Sequence, residues 1–202
     1  MEIRAFNFDV RAEENEEHGH FLAGRPIVYG EQTNLGWYDE SIEAGALDLT
    51  DLKDVRFLVN HNTDMIPLAR SRNNTDNSTM QMTVDNDGMK IRVDLDIENN
   101  AEARSLYSAV GRGDITGMSF MFEVDKDKWD DIDTPHPKRT ILSIRRVLEV
   151  SAVTFPAYSN TSINTRGLSD ALDSAKESLD SAKAEQRKIE AAKTRIRILS
   201  EV

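Results

Sequence analysis

Through about residue 155 the chain alternates apolar and polar side chains, the period-2 signature of strands that bury one face. Phe6, Phe8 and Val10 alternate with polar neighbours, and residues 20–29 and 56–60 carry the same signal. The clearest element is a hairpin. Residues 79–84 and 89–95 flank Asp85-Asn86-Asp87-Gly88, whose Asp-Gly supplies the positive φ of a tight turn. Residues 100–110 change to a helical period, with an Asn100 cap, with Leu106, Tyr107 and Val110 on one side, and with Gly111 and Gly113 as stops. Strands are expected again over 115–124 and 140–155. Between them, the acidic cluster and Pro135-His136-Pro137 predict an exposed loop over 125–139. The pattern as a whole describes an α+β domain, rich in strands and poor in helices.

After Gly167 the composition shifts to Ala, Lys, Glu, Ser and Asp, with no Gly, Pro or aromatic residue, which predicts one long helix. Leu168, Leu172, Ala175, Leu179, Ala182, Gln186, Ile189, Lys193 and Ile196 recur at spacings of four and three, the coiled-coil period. Gln186 and Lys193 interrupt that seam and two positions are only Ala, so a solvated or partner-dependent helix is expected rather than a strong coiled coil. The chain therefore divides into a domain over 1–167 and a helical tail over 168–202. The tail is acidic in its first half and basic in its second, which suits antiparallel pairing or a charged partner, and equally suits a helix kept soluble by its charges.

Composition narrows the chemistry. At 39% hydrophobic and 30% charged residues, the chain can bury one ordinary core. It has no cysteine, which excludes disulfides, thiolate nucleophiles and Cys-ligated zinc, so covalent chemistry must run through Ser, Thr, Lys, His or a carboxylate. The formal charge of −11 argues against a general nucleic-acid binder. Residues 168–202 are balanced, with seven basic and seven acidic side chains, so the surplus negative charge lies before them. No apolar run approaches the roughly 18 residues of a membrane span, and Met1-Glu2-Ile3-Arg4 lacks a signal-peptide core. The expectation is a protein that acts in the cytoplasm, away from membranes. Nothing suggests a metal or an organic cofactor.

Without cysteine, the four histidines are the places to look for a base. His18 and His20 sit in Glu16-Glu17-His18-Gly19-His20, a solvated connector, with a metal site a poor second reading. His136 lies between prolines in the expected loop, where it is exposed and without catalytic use. His61 differs: residues 55–59 read as a strand with a buried apolar side, and Asn60-His61-Asn62 is where that strand emerges. A histidine there is held by the core yet can face a cleft, or it can simply close a turn.

Ser119 stands in Asp114-Ile115-Thr116-Gly117-Met118-Ser119-Phe120-Met121-Phe122, where a strand serine can be a nucleophile or fill a small polar slot. It is in neither a Gly-x-Ser-x-Gly elbow nor a Ser-x-x-Lys pair. Glu149 interrupts the apolar run of Arg145-Arg146-Val147-Leu148-Glu149-Val150-Ser151-Ala152-Val153, which costs free energy unless the carboxylate is paired. A salt bridge to Arg145, Arg146 or Arg112 would satisfy it, and so would orienting an imidazole.

Several segments share one wider pattern. They are Leu22-Ala23-Gly24-Arg25-Pro26-Ile27-Val28-Tyr29-Gly30, Tyr38-Asp39-Glu40-Ser41-Ile42-Glu43-Ala44-Gly45-Ala46-Leu47, Asn60-His61-Asn62, Gly117-Met118-Ser119-Phe120-Met121-Phe122, and Leu148-Glu149-Val150-Ser151-Ala152-Val153-Thr154-Phe155-Pro156-Ala157-Tyr158. From about residue 3 to residue 164 the chain thus resembles the caudoviral prohead protease family, tailed-phage serine peptidases similar in fold and catalytic arrangement to herpesvirus assemblin. Ala44, Leu47, Met121 and Tyr158 stand where that pattern usually has Pro, Phe, Gly and Asn.

The resemblance implies an assemblin-like distorted antiparallel β-barrel with a few helices, followed by the long C-terminal helix. It implies a serine endopeptidase with Ser119 as nucleophile and His61 as base, and Glu149 is the candidate for the third place, where assemblin has a second histidine. The implied substrates are the scaffolding segment of the major capsid protein and the chain itself. The implied setting is the host cytoplasm and then the procapsid interior, with homodimerisation as in assemblin relatives. Two rival readings are a scaffolding or capsid-morphogenesis protein without a working site, and a β-barrel binding module in which His61 and Glu149 are polar core groups.

Overall fold

The structure is a computed structural model that describes residues 1–6, 10–154 and 165–200. Part of the first expected strand (Phe8) and the residues 155–158 that close the last quoted segment lie outside the described residues. Two sheets form. The larger contains β1 (Glu2–Phe6), β4 (Thr33–Asn34), β5 (Asp39–Ile42), β6 (Asp54–Val59), β7 (Ala69–Arg72), β10 (Gly117–Asp130) and β11 (Lys138–Val153). The smaller runs β2 (Arg11–Asn15), β3 (Gly19–Val28), β9 (Gly88–Asp94), β8 (Met80–Asp85), all antiparallel. Helix α1 (Ala101–Gly111) and the long helix α2 (Thr165–Ser200) complete the chain.

The fold is β-rich α+β, as expected, but the described strands do not close into a barrel. The long strand β11 is the axis of the larger sheet. It pairs antiparallel with β10 on one side. On the other it takes β5 in parallel along residues 138–141 and β6 in parallel along 149–152. With β1, β4 and β7 as outer strands, the edges of this sheet stay apart. Leu22, Ile27 and Met89 from one sheet, Phe57 and Phe120 from the other, and Leu106 of α1 meet in a common core.

The expected hairpin and first helix are present. Asn100 caps α1 by accepting from the backbone N–H groups of Glu102 at 2.9 Å and Ala103 at 3.2 Å. In the β8–β9 hairpin Asp85 pairs with Gly88, and Gly88 is the residue with positive φ, +133°. A Cβ on Gly88 would lie 2.0 Å from the Ile27 carbonyl oxygen of β3, so close approach and left-handed backbone both demand glycine there. Gly88→Ala is expected to cost at least about 2 kcal/mol of unfolding free energy. A shift of the urea midpoint worth less than about 0.5 kcal/mol would contradict this reading.

The expected exposed loop over 125–139 is largely strand: β10 continues to Asp130 and β11 starts at Lys138. Composition misled because Asp127 and Arg139 have partners from elsewhere in the chain. Arg139, 2% exposed, donates to Asp127 at 2.6 Å and to Glu2 at 2.8 and 2.9 Å. Glu2 and Arg4 face inward on β1, and Arg4 and Arg139 both bind Glu40. A buried ionic knot of Glu2, Arg4, Glu40 and Arg139 thus occupies a place where pattern reading expects apolar residues.

Helix α2 docks on this knot. Ser174 donates to Glu2 at 3.3 Å and Ser178 to Asp127 at 2.7 Å, while Ala175 and Leu179 are buried. Further along, Ile189 and Ile196 are 48% and 67% exposed. The apolar seam therefore serves this chain's own body in its first part and is open in its second. Among the described residues no helix is long and apolar enough to cross a membrane.

Candidate active site

Strand β6 buries Val55, Phe57 and Leu58 and runs parallel to β11, with Leu58 opposite Ser151 and Val59 opposite Ala152. A straight continuation would carry residue 61 beyond the sheet. Instead Asn60 and His61 adopt left-handed backbone, φ +52° and +56°, a conformation that costs roughly 1–2 kcal/mol per residue with a side chain and that Asn tolerates best. Several bonds hold the turn. Asn60 donates its backbone N–H to the Ala152 carbonyl at 2.9 Å, accepts from the Thr154 N–H at 2.9 Å and donates to Thr154 Oγ1 at 3.1 Å. The His61 N–H donates to Ser151 Oγ at 3.1 Å. The chain folds back, and the imidazole lies against β10 and β11.

Ser119 lies in β10, opposite Ser151 of β11 on one side and Ala5 of β1 on the other, and is wholly buried. Its Oγ is 2.6 Å from His61 Nε2 and donates to the Arg4 carbonyl at 2.8 Å. A hydroxyl has one proton, so these acceptors compete. Rotation about the Cβ–Oγ bond alone moves the proton from the carbonyl to the imidazole.

Glu149, 3% exposed, closes the chain of bonds. One carboxylate oxygen pairs with His61 Nδ1 and the other accepts from Ser151 Oγ at 2.6 Å. A carboxylate facing Nδ1 fixes the tautomer: Nδ1 carries the proton and the Nε2 lone pair faces Ser119. Of the arginines weighed as partners for Glu149, Arg112 turns to Asp114 and Arg145 to Asp125. The β10–β11 register slips beside it: Met121 pairs with Glu149 but Phe122 with Val147, leaving Leu148 as a bulge. Bulges re-aim neighbouring side chains, and this one adjoins the acid. The arrangement can draw a proton from a hydroxyl onto an imidazole whose positive charge a buried carboxylate then stabilises.

The other histidines are apart from this site. His18 accepts from Arg92 Nη1 at 2.9 Å, and His20 packs against Tyr107 with ring centroids 5.1 Å apart. His136 lies 2.8 Å from Asp39 and so ties the β10–β11 turn to β5. No group of three His, Asp or Glu side chains placed to hold a metal occurs among the described residues. Pattern reading left three features of the site without a role: Ser151, the Asn60 turn and the Arg4 carbonyl. Ser151 had a signal, because residues two apart on a strand share a face and Ser151 is two after Glu149. The Arg4 carbonyl had none, since a backbone atom carries no residue-type signature.

Two comparisons with known proteins, one with the curated proteins and one with solved structures, find no match. A third, with family models, finds one over residues 6–176, described as caudovirus prohead serine protease.

Proposed function

The chain belongs to the caudovirus prohead serine protease family, and on that premise we propose that it is the peptidase that matures a tailed-phage prohead, with Ser119 as nucleophile, His61 as base and Glu149 as the acid that orients the base. The observation that carries this reading is the unbroken chain from Ser119 Oγ, 2.6 Å from His61 Nε2, through His61 Nδ1 to Glu149.

In the proposed reaction the Ser119 proton passes to Nε2 as Oγ bonds to the carbonyl carbon of a peptide. Nε2 then returns that proton to the leaving nitrogen, the C–N bond breaks, and an acyl-enzyme ester remains. Water loses a proton to Nε2 as it attacks the ester, and Ser119 regains a proton as it leaves. Glu149 stays ionised and holds the Nδ1 proton throughout. Supported by family membership alone are the substrates, namely the scaffolding segment of the major capsid protein and the chain itself, and the setting in host cytoplasm and procapsid. Residues 168–202 are proposed as the part that engages assembly partners, because the outer half of α2 exposes Ile189 and Ile196. Residues 1–167 carry the peptidase.

Ser119 is wholly buried, so a peptide reaches it only after neighbouring chain moves. The test is intact mass followed over days, for the purified chain alone and with capsid-protein precursor. Products with new termini, and a serine-directed fluorophosphonate adduct mapped to Ser119, are expected. Unchanged masses and no adduct on a folded chain would leave the reading of a non-catalytic scaffolding protein.

A further inference from the structure

We propose that Ser151 is a positioning residue for the Ser119–His61–Glu149 chemistry: its hydroxyl ties the backbone of the base to the acid that orients it. This rests on the peptidase reading of the site. Ser151 Oγ accepts the backbone N–H of His61 at 3.1 Å and donates to Glu149 at 2.6 Å, and the residue is 0% exposed. Both of its hydrogen-bonding senses are therefore used, with the direction fixed at each end. The His61 amide can only donate, and an ionised carboxylate can only accept.

With the bond between Glu149 and His61 Nδ1, these contacts form a ring. It runs from the His61 amide to Ser151, on to Glu149, into the imidazole and back to the His61 backbone. Such a ring constrains both ends of one side chain. The amide end is held in the left-handed turn, and the imidazole end is held by a carboxylate that is itself held. The cross-strand register explains why residue 151 can do this. It sits opposite Ser119 in β10 and opposite Leu58 in β6, three residues before His61. Ser151 is thus on the strand between nucleophile and base, two residues from the acid, and its hydroxyl is hydrogen-bonded to His61 and Glu149 and not to Ser119 Oγ. A residue so placed acts through the base.

Loss of the hydroxyl frees one carboxylate oxygen and one amide together. Geometry errors of about 1 Å cost on the order of 10²-fold in rate, so kcat should fall on that order while KM stays within about twofold, because no substrate contact is removed. The proton on His61 Nδ1 offers a second readout, its deshielded ¹H resonance. Wild type and Ser119→Ala should both show it, and in Ser151→Ala it should shift or broaden away.

The experiment measures steady-state kinetics, the Nδ1 proton resonance and thermal unfolding for the full chain. The variants are Ser151→Ala, Ser151→Thr, which restores a hydroxyl, and Ser151→Cys, which keeps the volume but is a weak donor. Loss of kcat in the Ala variant, recovery with Thr and an intermediate value with Cys support the proposal. If the Ala variant does not fold, the Cys variant decides: a folded Cys chain with lowered kcat supports it, and one with wild-type kcat overturns it. A folded Ala variant with kcat within about twofold of wild type and an unmoved resonance also overturns it, leaving the peptidase reading intact. Wild-type chain without any peptidase activity removes the reading beneath it, a distinct outcome seen before any Ser151 variant is made.

Discussion

Ser119→Ala is expected to lower the rate of peptide hydrolysis on the order of 10⁶-fold with little change in fold. The alanine cannot form an acyl-enzyme, and whatever hydrolysis persists comes from binding and electrostatic stabilisation around the bond. His61→Ala should cost a similar factor, and the double variant little more, because the hydroxyl and the imidazole work as one unit. Glu149→Gln should cost about 10⁴-fold: an amide in place of the carboxylate can donate to Nδ1 and favours the tautomer whose Nε2 bears a proton facing Ser119. Removing one buried hydroxyl, whose single proton serves either the Arg4 carbonyl or His61 Nε2, should cost about 1–3 kcal/mol of stability at most, so Ser119→Ala can be checked for fold by circular dichroism. Equal processing by wild type and Ser119→Ala, read by intact mass, would end the assignment of Ser119 as nucleophile.

The largest stability effect is expected at the ionic knot. Arg139→Ala would leave Glu2 and Glu40, 2% and 3% exposed, with Arg4 as their remaining cation and Asp127 with one partner fewer. Breaking a buried ion pair from one side costs about 3–5 kcal/mol, because the abandoned charge stays desolvated. In a chain of this size that lowers the midpoint of thermal unfolding by roughly 10 °C. A paired variant, Arg139→Met with Glu2→Leu, should recover part of the loss, since what destabilises is the unpaired charge and not the absent attraction. A change below about 1 kcal/mol for Arg139→Ala would show the knot to be open to water.

The same knot sets an acid limit. Burial pushes the Glu2 carboxyl upward, but the hydrogen bond from Arg139 and the charges of Arg4 and Arg139 outweigh it and hold Glu2 below its ordinary value of 4.5. A carboxylate lowered on folding contributes stability that is complete above its unfolded pKa and is lost as pH falls through its lower folded value. Stability should therefore decline below pH 4.5, and decline less steeply in the paired variant.

Local pattern carried much of the fold. The β8–β9 hairpin, the Asn100 cap and the burial of Leu106 and Val110 on α1 were legible because each depends on residues close in the chain. The strand status of 125–130 and 138–139 was not legible. It rests on the backbone ladder of 126–130 with 138–143, and the buried Arg139 within it is satisfied by Glu2 and Glu40, which composition near residue 139 does not contain. The tail shows both sides: its helix was legible, whereas its docking through Ser174 and Ser178 depended on Glu2 and Asp127.

The candidate site divides along the same line. An absent cysteine, few histidines and a lone acid in an apolar strand limit which residue types can do covalent chemistry, and those are properties of the chain read end to end. That His61 meets Ser119 across 58 residues and Glu149 across 88 is a matter of strand register. Parallel pairing of β6 with β11, antiparallel pairing of β10 with β11 and the left-handed turn at Asn60 and His61 bring them together. Register slipped by one residue would turn each of these side chains to the opposite face. No local period encodes it, because the core as a whole selects it.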